Sequence, residues 1–315
     1  MVHPQNTPRR ETRTVMSDLN RRQLLLAGAS AWVGVGAANR LLAQPKGESK
    51  KVLFFIKSAG FPHSVVTRKR DKPSLAEQVL RDIGEEHGFQ VVSTKDGRVF
   101  EPDQIGQWDA FVFETTGDLT TEGGTEKSPP ISPDGEKAFY DAIRGGKGFI
   151  GMHCATDTFG HHGKRDKGAE DPYIQMIGGE FIIHGAEQVV RIDIVDPDFP
   201  GLAKGFGKSG SSFKIQDEWY ALKNMPDDLH VILVQVTEGM KGNMYQRPNY
   251  PMTWARPYGK GRVFYTSMGH REDVWTNPSY QGLLLGALGW ATGRIDANIE
   301  PNVSKVTPGY KQLPK

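Results

Sequence analysis

The stretch that most constrains this chain is residues 147–158, Lys-Gly-Phe-Ile-Gly-Met-His-Cys-Ala-Thr-Asp-Thr. It opens as an apolar run over residues 149–152, too short for a helix and flanked by glycine, as a strand buried in a parallel sheet would be. It then breaks into Cys154, Ala155, Thr156 and Asp157, which predict the start of a helix capped by Thr156 or Asp157. A tight strand-to-helix turn lifts one side chain above the carboxyl edge of the sheet, here His153 or Cys154. The competing reading is purely architectural: Gly151 and Ala155 permit close packing, and His153 is a satisfied core histidine.

The segments before this turn repeat one pattern. Strands are expected over residues 51–56, 89–92 and 108–114. Residues 74–87 carry Leu75, Val79, Leu80 and Ile83 at helical spacing with Gly88 as the stop, and Ser132-Pro133 opens a second helix that runs to residue 143. Such alternation predicts an α/β fold, a doubly wound and mainly parallel sheet with helices on both faces and ligands at the carboxyl ends of its strands. Beyond residue 158 the regularity falls off. His161-His162 begins a polar loop that reads as solvated or lid-like, and residues 178–185 read as a strand ending in His184. Residues 189–195 alternate, and residues 213–220 bring Asp217 and Glu218 against Trp219 and Tyr220. Residues 229–236 form another strand, residues 251–256 and 261–267 a hairpin that leads to His270, and residues 283–290 a closing helix. With no repeat and no second core, one domain over residues 46–295 is expected, followed by an irregular tail, 296–315.

Residues 1–45 stand apart. Arg21-Arg22 directly precedes an apolar stretch broken by Gly28, Gly34 and Gly36, with Ala43 before a possible cut, the layout of a twin-arginine export signal rather than a membrane span. Met16 lies at a more usual distance from the arginines than Met1. The expected location is therefore the periplasm or beyond, with no span left in the mature chain. With 39 basic and 37 acidic residues the formal charge is +2, and nothing favours nucleic acid as a partner. The lone Cys154 excludes an intrachain disulfide, so in an oxidising compartment its thiol must be buried, liganded or reactive.

Taken together, Gly60-Phe61-Pro62-His63-Ser64, residues 146–158, Gly178-Gly179 with His184, Asp217-Glu218-Trp219-Tyr220, Met252-Thr253-Trp254 and residues 259–270 resemble the ThuA (trehalose-utilisation) family over about residues 51–292. The resemblance implies the flavodoxin-like fold of class I glutamine amidotransferases. It also implies a small-molecule carbohydrate ligand, given the family's association with trehalose and oxidised (3-keto) glycosides. One departure is informative. Amidotransferases carry a cysteine nucleophile in a G-x-C-x-G elbow, whereas here His153 takes that place and the thiol of Cys154 comes one residue later, with no His-x-Glu pair to activate it.

His63, His153, His184 and His270 each follow a separate predicted strand, so they can converge on one crevice. Imidazoles joined by a carboxylate suit zinc, iron, nickel or manganese. Asp217 and Glu218, with His153, are the expected acid–base groups. Cys154, Asp157, Trp219, Tyr220 and Trp254 are the expected substrate contacts, the aromatics as sugar platforms or else as core. Three functions follow: a sugar-active enzyme using a metal or His/Glu acid–base chemistry, a carbohydrate-binding module that keeps the scaffold without the chemistry, and a hydrolase using Cys154.

Overall fold

Apolar strands with no polar face require a sheet covered on both sides. The computed structural model has one, and describes residues 49–70, 72–123, 127–159, 168–202, 206 and 210–314. The expected export segment and the His161-His162 loop lie outside the described residues.

The strands are β1 Lys50–Phe55, β2 Phe89–Thr94, β3 Ala110–Phe113, β4 Gly148–Met152, β5 Glu180–His184, β6 Gln188–Ile194, β7 Ser212–Asp217, β8 Tyr220–Lys223, β9 His230–Gln235, β10 Tyr250–Tyr258 and β11 Gly261–Thr266. The helices are α1 Leu75–His87, α2 Pro133–Arg144, α3 Pro172–Ile177, α4 Glu272–Trp275, α5 Pro278–Ala291 and α6 Val303–Val306. Nine strands form one sheet in the order β2-β1-β3-β4-β11-β10-β9-β6-β7, and β5 pairs antiparallel with β8 in a separate ribbon.

The block β2-β1-β3-β4-β11 is parallel throughout, the strand order of a flavodoxin-like sheet. The doubly wound α/β expectation is therefore met. The remaining strands, β10, β9, β6 and β7, pair antiparallel, so the sheet as a whole is mixed. The switch comes where the sequence stops alternating strand with helix. Antiparallel neighbours close through short turns, whereas parallel ones need a crossover.

Strand alternation sorts the core onto two faces. Val52, Phe54, Ile150 and Met152 pack with Val79, Leu80 and Ile83 of α1 and Leu283, Leu284 and Ala287 of α5. Leu53, Phe55 and Phe149 pack with Phe139 and Ile143 of α2 and Ile174 and Ile177 of α3 on the other. Helix α1 begins as its sequence requires: the Ser74 hydroxyl accepts the Glu77 N–H while Glu77 accepts the Ser74 N–H, a reciprocal cap that stabilises by about 1 kcal/mol.

The turn after β4 departs from expectation. Residues His153–Asp157 form a single 3-10 turn instead of an α-helix, and the next described helix, α3, is capped by Asp171. The Thr156 side chain and the Asp157 main chain are otherwise engaged. The Thr156 hydroxyl turns to the His153 carbonyl and the Tyr265 hydroxyl, and the Asp157 carbonyl accepts the Gly117 N–H.

The tail, expected to be irregular, contains the helical turn α6 and is tied to β9 and β8. Asn302 pairs by its side chain with both backbone groups of Val231, and Arg247 donates to the Leu222 and Tyr310 carbonyls. His230 bridges the Glu300 carbonyl at 2.7 Å and the Asp196 carboxylate at 2.9 Å. Burial pulls the His230 imidazole downward, but its hydrogen bonds to Asp196 and Glu300 outweigh burial and leave its pKa raised. A raised histidine stabilises fully below its unfolded value and loses that contribution as pH rises through the folded value. A His230→Gln variant should therefore be less stable than the parent at pH 5, with the gap narrowing by pH 8, as urea denaturation at the two pH values would show. Among the described residues no helix is long and apolar enough to cross a membrane.

Candidate metal centre

The strand order places the carboxyl ends of β1, β3, β4 and β11 on one rim. Three histidines rise there. His63 follows β1 on a loop pinned to the loop after β3: the N–H groups of Ala59 and Gly60 both donate to the Thr116 carbonyl, at 2.9 and 3.1 Å. The approach is so close that a Cβ on Gly117 (φ +73°) would lie 2.4 Å from the Gly60 nitrogen. His153 is the elbow residue, with φ +38°, a left-handed conformation that costs a non-glycine residue on the order of 1 kcal/mol and is tolerated where the surroundings enforce it. His270 follows β11, just after Gly269, whose φ is +129° and where a Cβ would lie 2.8 Å from the Tyr280 hydroxyl.

The three imidazoles meet nearly at right angles, with ring centroids 5.0 to 5.2 Å apart. Glu218, in the turn between β7 and β8, completes the group: one ligand atom from each of His63, His153, Glu218 and His270 lies within 4.8 Å of every other. Among the described residues this is the one His/Cys/Asp/Glu cluster able to hold a metal ion.

Proton bookkeeping supports that capacity. The Ser267 carbonyl lies 3.0 Å from His153 Nδ1 and can accept only if that nitrogen carries the proton, which leaves the Nε2 lone pair facing the centre. His153 Nε2 is 3.3 Å from His270 Nδ1. Burial first, then the neighbouring imidazoles, hold His63 and His153 well below the ordinary histidine value, so both are neutral, the form that binds metal. His63 Nδ1 is buried without a well-formed hydrogen bond, although the nearby Phe61 carbonyl favours a proton on the ring. Buried neutral donors that converge on one point, with a carboxylate among them, fit a divalent cation.

Glu218 faces two ways. Its Oε2 lies 3.4 Å from His270 Nδ1 and 3.5 Å from His153 Nε2, while Oε1 lies 3.0 Å from His184 Nδ1. Burial pushes its carboxyl above the usual range, and His270 and His184 oppose that rise. His184, expected as a fourth metal ligand, thus stands behind Glu218, with its side chain 42 % exposed toward solvent. Asp217, expected as an acid or base, is fully buried and acts as a bracket. Its carboxylate accepts the N–H groups of Gly269, Glu218 and Arg271, fastening the end of β7 to the loop that carries His270. Burial lifts its pKa to about 7 even against those three donors.

The expected sugar platforms are core. Trp219 and Trp254 are fully buried, their indole N–H groups donating to the Gln188 and Ile177 carbonyls. Tyr220 packs 4.3 Å from the His153 ring and forms the inner wall. Asp157 is buried in the turn below. Cys154 points into the core, 3.5 Å from Glu114, and burial pushes its thiol pKa well up, as does the adjacent carboxyl. A thiolate nucleophile there is disfavoured. Cys154→Ser should leave the fold and the histidine–glutamate centre intact, and the native thiol should react with iodoacetamide only after unfolding.

Sequence reasoning gave no site role to Glu114 or Glu187 and named Phe61 only within the motif beside His63. Glu114 closes a predicted strand, so the logic that selected the histidines applies to it as well. Glu187, 3.5 Å from His270 Nε2, and the Ser267 carbonyl carry no signal of their own.

The model of the ThuA family, described as trehalose utilisation, matches residues 51–291. A ThuA-like protein of Bacteroides uniformis ATCC 8492 superposes with a TM-score of 0.55 at 17 % identity, covering 79 % of this chain and 94 % of its own. One from Parabacteroides merdae ATCC 43184 gives 0.55 at 18 % identity, covering 84 % and 96 %. At such identities these likenesses speak for the fold alone. No curated protein matches the chain. The family match spans most of the sequence and includes every residue of the histidine–glutamate centre, and on that ground the chain belongs to the ThuA family.

Proposed function

We propose that this protein is an exported, metal-dependent enzyme acting on a carbohydrate, with an oxidised (3-keto) glycoside of the trehalose type as the substrate class. The observation that carries the reading is the convergence of three imidazoles and Glu218 within 4.8 Å. His63, His153 and His270 would hold the ion. When bound, zinc, iron, nickel or manganese would supply Lewis-acid polarisation of a ketone oxygen or of vicinal hydroxyls.

The chain's own groups then have distinct tasks. The Ser267 carbonyl keeps His153 in one tautomer, and Asp217 holds the His270 loop in place. Glu218 takes the proton from the carbon beside the ketone, which that carbonyl makes acidic. The electron pair moves onto the ketone oxygen. His184, hydrogen-bonding distance from the other Glu218 oxygen and open to solvent, passes the proton on. Isomerisation follows when a proton is delivered to the former ketone carbon while the hydroxyl on the deprotonated carbon gives its proton to the former ketone oxygen and becomes the new ketone. Elimination follows when the electron pair returns to restore the ketone and a carbon–carbon double bond forms as the glycosidic oxygen leaves the adjacent carbon, taking up a proton by way of Glu218 to depart as an alcohol. Export rests on Arg21-Arg22.

The test is turnover of 3-keto-trehalose by metal-loaded, chelated and reloaded protein. Activity lost on chelation and restored on reloading is expected. Sugar binding without product in the loaded protein would instead mark a binding module, and the absence of both binding and turnover would overturn the carbohydrate reading.

A further inference from the structure

With Trp219 and Trp254 buried, the histidine centre needs another apolar surface if it is to orient a sugar ring, and the loop after β1 has one. Phe61 is 63 % exposed, the most exposed large hydrophobic side chain among the described residues. It stands at the centre itself, its ring centroid 5.3 Å from that of His63 and nearly perpendicular to it. Single exposed apolar residues are common and need no purpose. This one, however, sits on a segment fastened at both ends. The Thr116 hydroxyl donates to the Phe61 carbonyl at 2.8 Å, the Ala59 and Gly60 N–H groups are held by Thr116, and the Ser64 hydroxyl donates to Glu272 at 2.6 Å. The ring is thus presented from a backbone ordered in advance, so a ligand laid against it gains contact with little ordering cost.

We propose that Phe61 is the substrate-positioning platform of this site, stacking against the apolar C–H face of a pyranose ring so that the ring's oxidised edge lies over His63, His153 and His270. This rests on the carbohydrate reading above and adds the residue that selects a cyclic sugar over an open-chain ketone. A pyranose buries C–H groups against the phenyl face, the kind of contact an aromatic side chain supplies, while a small acyclic ketone reaches the histidines without touching it.

The experiment compares Phe61→Ala and Phe61→Trp with the parent, all metal-loaded, by titration with 3-keto-trehalose and, as the acyclic control, dihydroxyacetone. Phe61→Ala should weaken 3-keto-trehalose binding by about tenfold, with metal content and dihydroxyacetone binding unchanged, and Phe61→Trp should restore the affinity. Unaltered 3-keto-trehalose affinity in Phe61→Ala overturns the platform and leaves the proposed function standing. Equal losses for both ligands also overturn it, because they indicate general damage to the site. Absence of binding by the parent itself would remove the carbohydrate reading and the platform together.

Discussion

On the function proposed above, replacing His153 with alanine should leave a folded protein that retains no divalent metal and turns over no sugar. The ring is fully buried, its Nδ1 is fixed by Ser267, and its Nε2 faces both His270 and Glu218. Removing it takes away one of the three imidazoles proposed to hold the ion and the fixed ring against which the other two are set. Metal affinity should fall by more than the roughly 10- to 100-fold that loss of an outer-shell partner costs. His270→Ala should behave alike. Elemental analysis after gel filtration, with circular dichroism to confirm folding, checks both; full metal content in either variant would mean that the imidazoles are packing and hydrogen-bonding groups only.

The second large effect belongs to Glu218→Gln. The amide keeps the shape and an oxygen toward His153 and His270 but cannot accept a proton as the carboxylate does. Turnover should drop by about 10²- to 10⁴-fold, the span of general acid–base contributions, while three imidazoles still hold metal. The two variants therefore separate ion retention from proton transfer. A Glu218→Gln protein of parental activity would assign the proton to another group, and His184, 3.0 Å away on the outer oxygen, is the one the geometry favours.

The parallel half of the sheet was legible in the chain because each of its signals is local. Residues 149–152 and 51–56 are apolar without interruption, and Ser74, Gly88 and Ser132-Pro133 mark helix boundaries by backbone hydrogen-bonding needs that a few neighbouring residues satisfy. The same locality explains the errors. Thr156 has the chemistry of a helix cap, and its contact with Tyr265, remote in sequence, turns the hydroxyl elsewhere. Trp219 and Trp254 carry an indole suited equally to a sugar or to a core, and burial decides between those uses.

By itself, the sequence determined the alternation of strand and helix, the strand-to-turn break at His153, and the placing of His63, His153 and His270 at strand ends, because periodicity and chain direction are properties of neighbours. Only the tertiary structure decided which carboxylate joins them. In hydrogen-bond order β7 lies four positions from β11, a separation of about 19 Å in a flat sheet. The antiparallel half must curl over the rim for Asp217 to reach the Gly269 N–H at 2.8 Å and for Glu218 to face the histidines. Such curvature arises from the packing of many strands against one another, so no short run of residues encodes it.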